Sequence, residues 1–184
     1  MVSTNKFLSR REIVAAHIIL LSIFLSISFL PVGASSERKV LEGQVRVIDG
    51  DTIRFLNGPR VRLNHIDAPE LKQTCLLQGV GKIYHCGKTS KETLEGIIGN
   101  HKIYCESDKL DVYGRWLGTC WTLDMGQKGI NINQRMVQLG EAVTYKGATT
   151  YRVDEEAAKV AKKGIWSSSF QWPWEFRKTK RAEL

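Results

Sequence analysis

Two glycine turns, at Gly50 and Gly58, decide most of what the first part of this domain can become. Asp49-Gly50-Asp51 and Asn57-Gly58-Pro59 are both turn signals. Glycine and asparagine accept backbone angles that strands refuse, and proline cannot extend a ladder. The turns cut residues 40–66 into three runs too short for ordinary helices. In 40–48, Leu41, Val45 and Val47 are apolar among polar neighbours, which predicts a strand. Residues 52–56 form the returning strand. Residues 60–66 alternate through Val61 and Leu63, which places Arg62 on the face opposite those two. The expected product is a three-strand meander.

Beyond it, residues 71–86 are irregular and read as loop. Residues 88–98 carry Thr89, Thr93, Leu94, Ile97 and Ile98 at helical spacing and stop at Gly99-Asn100. A hairpin is expected from strands 102–107 and 116–123, joined by loop 108–115. Helices are expected at 131–139 and 151–163. Five short strands with helices inserted late predict an α+β fold. Its centre is a five-stranded barrel of the oligonucleotide/oligosaccharide-binding type with about three α-helices. Residues 167–184 form an aromatic and basic extension. Phe170, Trp172, Trp174 and Phe176 make 167–178 too aromatic for a free tail, so it is expected to pack back on the domain. Residues 178–181 read as a solvated end.

The start of the chain has a different character. Lys6, Arg10 and Arg11 precede an apolar run over 13–30, and Pro31-Val32-Gly33-Ala34 supplies small residues suited to cleavage. This is the pattern of an export signal over 1–34, followed by a short linker at 35–39. The alternative is an uncleaved membrane anchor, since the run just reaches spanning length. Export to the periplasm or the medium is expected. The chain carries 27 Lys and Arg against 19 Asp and Glu. A domain this basic attracts polyanions, nucleic acid first among them. All four cysteines, Cys75, Cys86, Cys105 and Cys120, lie after the leader. An even count behind an export signal predicts disulfides. Of three connectivities, 75–86 with 105–120 is favoured, because each pair flanks a local excursion. Neither spacing resembles a zinc knuckle.

The chemistry concentrates at the predicted strand ends. Asp51 follows the first turn and Asp67 follows the third strand, so a twisted meander can bring both to one hard cation, calcium or magnesium. Asp49 is either a third ligand or the residue that hydrogen-bonds its own turn. Glu70, after Pro69, is placed to polarise a water as general base. Arg62 and Arg115 are suited to grip phosphate oxygens as charge builds on them. No role is assigned to His65.

The ordered set, residues 47–55 (VIDGDTIRF), 61–70 (VRLNHIDAPE), 111–115 (DVYGR), 137–142 and 164–166 (GIW), resembles the staphylococcal nuclease family over about 40–166. The likeness is to its exported bacterial branch with extra cysteines. It implies a calcium-dependent endonuclease and exonuclease acting on DNA and RNA and leaving 3′-phosphates. By position, it implies Asp51, Asp67 and the backbone carbonyl of Ala68 as calcium ligands. Arg62, Glu70 and Arg115 fall on its catalytic residues. Tyr113 falls on an aromatic near the nucleotide, and Tyr145 lies close to a stacking tyrosine, about one residue out of register. Val112 stands where the founding member has a phosphate-contacting lysine. Single-stranded regions are the expected substrate, with a monomer and no obligate protein partner. The competing reading is a catalytically silent nucleic-acid-binding module, which the complete charged set argues against.

Overall fold

A computed structural model describes residues 38–183. The leader expected over 1–34 lies outside these residues. The meander is present, with one difference in its first strand. Instead of one strand over 40–48 there are two halves, β1 (Lys39–Gly43) and β2 (Val45–Asp49). Gly43, at φ 147°, permits the bend between them. β3 (Thr52–Phe55) and β4 (Arg60–Leu63) come next. His65 takes φ 63°, which breaks the expected 60–66 strand and leaves β5 (Ile66–Asp67) as a separate short piece.

The stretch read as loop contains two short strands, β6 (Cys75–Leu77) and β7 (Ile83–Tyr84). Helix α1 (Cys86–Ile98) starts directly after them. The hairpin is β8 (Lys102–Leu110) with β9 (Trp116–Asp124), and β10 (Gln127–Asn131) adds an unforeseen strand along β9. Helix α2 (Ile132–Gln138) is capped by Asn131, whose side chain accepts from the amide of Gln134. Then come β11 (Val143–Thr144), helix α3 (Arg152–Val160) and β12 (Ser168–Ser169).

The sheet path runs β1-β8-β9-β4-β3-β2. It begins and ends on the two halves of one bent strand. The sheet therefore curls back on itself as a five-stranded barrel of the expected type. Alternation decides what fills it. Ile53, Val61, Leu63, Ile103, Cys105 and Cys120 point inward and are buried. Leu94 and Ile98 of α1 and Ile132, Met136 and Val137 of α2 close the same core. Each such side chain contributes about 1.5–3 kcal/mol on burial.

Two disulfides join the pairs favoured from sequence. Cys105–Cys120 crosses the β8–β9 hairpin between directly opposite residues. Cys75–Cys86 ties β6 to the start of α1. Around the second lies a smaller core of Val143 and Ile165, against which Trp166, Phe170, Trp172 and Trp174 pack. The aromatic stretch does fold back. The basic residues after it, 178–181, are exposed as expected, and they are helical. Pro173 opens a fourth helix among the described residues, α4 (Pro173–Ala182), which lies over one end of the barrel.

Candidate active site

The β2–β3 turn comes very close to α1. A Cβ on Gly50 would sit 2.1 Å from Ser90 Oγ and 2.7 Å from Ala68 Cβ, so only glycine fits. This seats the neighbouring acids. Asp49 Oδ1 accepts from the amide of Asp51 at 3.1 Å, the turn role foreseen as one of its two options. Asp51 is buried. Its Oδ1 accepts from Thr52 Oγ1 at 2.9 Å, and its Oδ2 accepts from the Ala68 amide at 3.2 Å. β5 pairs with β11, Asp67 opposite Val143, and Asp67 is completely buried.

Arg62 leans from β4 between the two acids. Its Nη1 donates to Asp51 Oδ2 and its Nη2 to Asp67 Oδ1, each at 2.5 Å. Arg115 is held by Asp111 through two donors, Nε and Nη2, both at 2.8 Å from Oδ2. Its Nη1 reaches Thr52 Oγ1 at 3.4 Å. Asp111 in turn takes the amides of Tyr113 and Arg115, so it is the residue that shapes this loop. Burial would raise the Asp111 carboxyl, but these donors and the Arg115 charge outweigh it and hold it below the usual range.

Sequence reasoning missed the third cation. Arg177 of α4 donates from Nη1 to Asp67 Oδ1 at 3.0 Å and to Glu70 Oε1 at 2.8 Å. Its Nη2 donates to Asp67 Oδ2 at 2.8 Å. One turn later, Arg181 donates to the Tyr113 hydroxyl at 3.2 Å. The signal was available: proline at the start of a helix, then arginines at i and i+4 on one face. Gln73 braces the arrangement. It is buried, takes the Glu70 amide on Oε1, and donates Nε2 to the carbonyl of Gln171 at 2.6 Å.

These groups share a cleft of about 1130 Å³. Asp49, Asp51, Arg62, Glu70, Asp111, Tyr113, Arg115, Tyr145, Arg177 and Arg181 line it. Asp67 does not, because two guanidinium groups roof it. Tyr113 is exposed, with Arg115 5.5 Å from its ring centre. Tyr145 is also exposed and is fixed by its amide on the His65 carbonyl at 2.9 Å. It lies 6.0 Å from the Arg62 guanidinium and edge-on to Trp174. Val112 stands at the rim, almost fully exposed.

Titration reflects the crowding of acids. Burial, reinforced by the Asp51 charge, pushes Asp49 up to about 7. Burial also raises Asp67, while hydrogen bonding from Arg177 and the charges of both arginines oppose the rise. For Arg62 and Arg177, burial alone would favour deprotonation, but the carboxylates win and keep both cationic. Asp51, Asp67 and Glu70 offer only oxygen, the donor chemistry of a hard cation. Among the described residues, no three His, Cys, Asp or Glu side chains converge as a ready cage. The places between the acids are taken by Arg62 and Arg177. The donor set fits a hard cation that completes its shell with backbone oxygen and water.

A curled barrel with acids, guanidinium groups and exposed tyrosines in one cleft defines a protein of the class that handles phosphodiesters on an oligonucleotide-binding scaffold. Residues 60–168 match the family described as staphylococcal nuclease homologue, and the chain belongs to that family. The matched span contains Arg62, Asp67, Glu70 and Arg115, whereas Asp51 and Arg177 lie outside it. The chain is 40% identical to a succinoglycan biosynthesis protein, ExoI, of Rhizobium meliloti over 67% of its own length and 63% of that protein's. It is thus similar to somewhat less than two thirds of that relative. It is 33% identical to an uncharacterized endonuclease of Escherichia coli O157:H7, over 73% of this chain and 84% of the other. With Endonuclease YncB of Bacillus subtilis, identity is 33% over 67% of this chain and 60% of the relative.

Proposed function

We propose that this protein is a calcium-dependent nuclease that hydrolyses phosphodiester bonds of DNA and RNA to 3′-phosphate products. The observation that carries the reading is the meeting of Asp51, Asp67 and Glu70 with Arg62 and Arg115 at one end of the barrel. Membership of a nuclease family, and the endonuclease names of two relatives, support it.

Asp51, Asp67 and the Ala68 carbonyl would hold the cation, which supplies charge to the scissile phosphate and orders water beside it. Arg62 and Arg115 bind the two non-bridging oxygens and stabilise the charge that develops there. Glu70 accepts a proton from water as the water oxygen bonds to phosphorus. The bond from phosphorus to the 5′-oxygen breaks in line, and that oxygen takes its proton from solvent. The open cleft and the exposed rings of Tyr113 and Tyr145 suit an unpaired strand with stacked bases. Two disulfides support an oxidising compartment reached through the leader at 1–34, retained as an anchor in the alternative case. The protein acts as a monomer.

The test uses the full chain on denatured DNA and on RNA, with calcium or excess chelator, beside Glu70→Gln. Cleavage is expected only with calcium, and the variant should turn over about 10²–10⁴-fold more slowly. Equal cleavage in chelator sinks the metal role. Equal cleavage by the variant sinks the role of Glu70.

A further inference from the structure

From the edge of the cleft outward stand three more arginines, in line. In the β2–β3 ladder Arg46 is directly opposite Arg54, and in the β3–β4 ladder Arg54 is directly opposite Arg60. All three are exposed. Like charges facing each other across strands destabilise a sheet. Here no carboxylate answers them, because none of the ion pairs among the described residues includes Arg46, Arg54 or Arg60. Arg60 touches only a backbone oxygen, the Tyr113 carbonyl at 3.2 Å.

The row is continuous with the site. Strand alternation puts Arg60 and Arg62 on one face of β4, and Arg60 itself lines the cleft. From Arg62 the line steps about 6.7 Å along β4 to Arg60, then about 4.8 Å per strand to Arg54 and Arg46. Solubility would be served by charges of mixed sign, without a cross-strand penalty. Guanidinium groups in a fixed row match a repeating series of phosphates, which each can grip in bidentate fashion.

We propose that Arg60, Arg54 and Arg46 form a track for the sugar-phosphate backbone of the nucleic-acid strand as it leaves the cleft on one side of the bond to be cut. This rests on the nuclease reading and deepens it. The track contacts phosphates and not base edges, so it extends the bound length without sequence preference.

The test is fluorescence anisotropy of labelled oligothymidylates in chelator, which separates binding from cleavage. The full chain is compared with Arg46→Gln/Arg54→Gln, using a 3-mer confined to the cleft and a 12-mer that reaches beyond it. Lys88→Gln/Lys91→Gln on α1 removes the same charge elsewhere. The track variant is expected to bind the 12-mer about tenfold more weakly at low salt. Its salt slope should be shallower by about 1.4, or about 0.7 for each lost phosphate contact on a single strand. Its 3-mer affinity should stay within about twofold, and the α1 variant should match the unmodified chain. The proposal is overturned if the 12-mer affinity and slope are unchanged, if the 3-mer suffers equally, or if the α1 variant loses as much. If the unmodified chain binds neither oligonucleotide in chelator, the track is overturned; if it binds neither with calcium added as well, the nuclease reading itself falls.

Discussion

Replacing Arg177 by glutamine tests what holds the candidate site together without metal. Asp67 is fully buried, and Arg177 covers both of its oxygens, at 3.0 and 2.8 Å. Removing one member of a buried ion pair costs about 3–5 kcal/mol, because the other charge stays buried. Two features lower the figure here. The Arg177 side chain is 26% exposed, so solvent screens the pair, and Arg62 remains on Oδ1. A loss of about 1–2 kcal/mol is the result. For a domain of this size, that is a fall of about 2–8 °C in Tm in chelator. On the proposed reading, calcium at Asp67 has to displace both Arg177 and the Arg62 contact on Oδ1 in the unmodified protein, and only the Arg62 contact in the variant. The same loss of about 1–2 kcal/mol therefore reappears as calcium binding about 5–30-fold tighter in Arg177→Gln. Scanning fluorimetry and titration calorimetry read both quantities. An unchanged Tm in chelator, or calcium affinity that stays level or weakens, refutes the idea that guanidinium and metal compete for one acid.

Two further substitutions address the surroundings. Burial pushes the Glu141 carboxyl up to about 7 from an ordinary 4.5. Between those values the folded chain keeps a proton that the unfolded chain has lost. Stability should thus be complete below about pH 4.5 and fall by up to about 3 kcal/mol as pH rises through 7. Urea unfolding across this range should show a shallower slope in Glu141→Gln, with Asp49 accounting for part of what remains, and an identical slope in the variant counts against the reading. Gly50→Ala forces a Cβ into Ser90 and Ala68. It should cost about 1–3 kcal/mol and slow cleavage by shifting Asp51, and a variant that melts with the unmodified chain removes the steric argument.

Alternation in β3 and β4 announced which face Arg62 occupies, and the motif order announced which acids would meet it. The bend at Gly43 was hidden for a physical reason. Leu41, Val45 and Val47 keep the same parity across it, so the pattern cannot reveal that the two halves pair with different partners. β6 and β7 are too short to show a period. His65 at positive φ carries no compositional warning. Arg177 and Arg181 show helical spacing, but spacing alone does not say what that face of the helix meets. The partner of Arg177, Asp67, is 110 residues away, beyond any local pattern.

The bent first strand also sets a timetable. β2, β3 and β4 are neighbours in sequence and can pair as soon as they exist, but β1 must wait for β8, where Leu41 meets Cys105. Pairings between distant residues form late, because the entropy of loop closure is lost before any contact offsets it. Until β8 arrives, the curled sheet has two open edges that accept a strand from any nearby copy. Closure of this clasp therefore follows growth of the meander. The hazard during that interval is exchange of β1 between chains, which grows with concentration and ends once the clasp is shut.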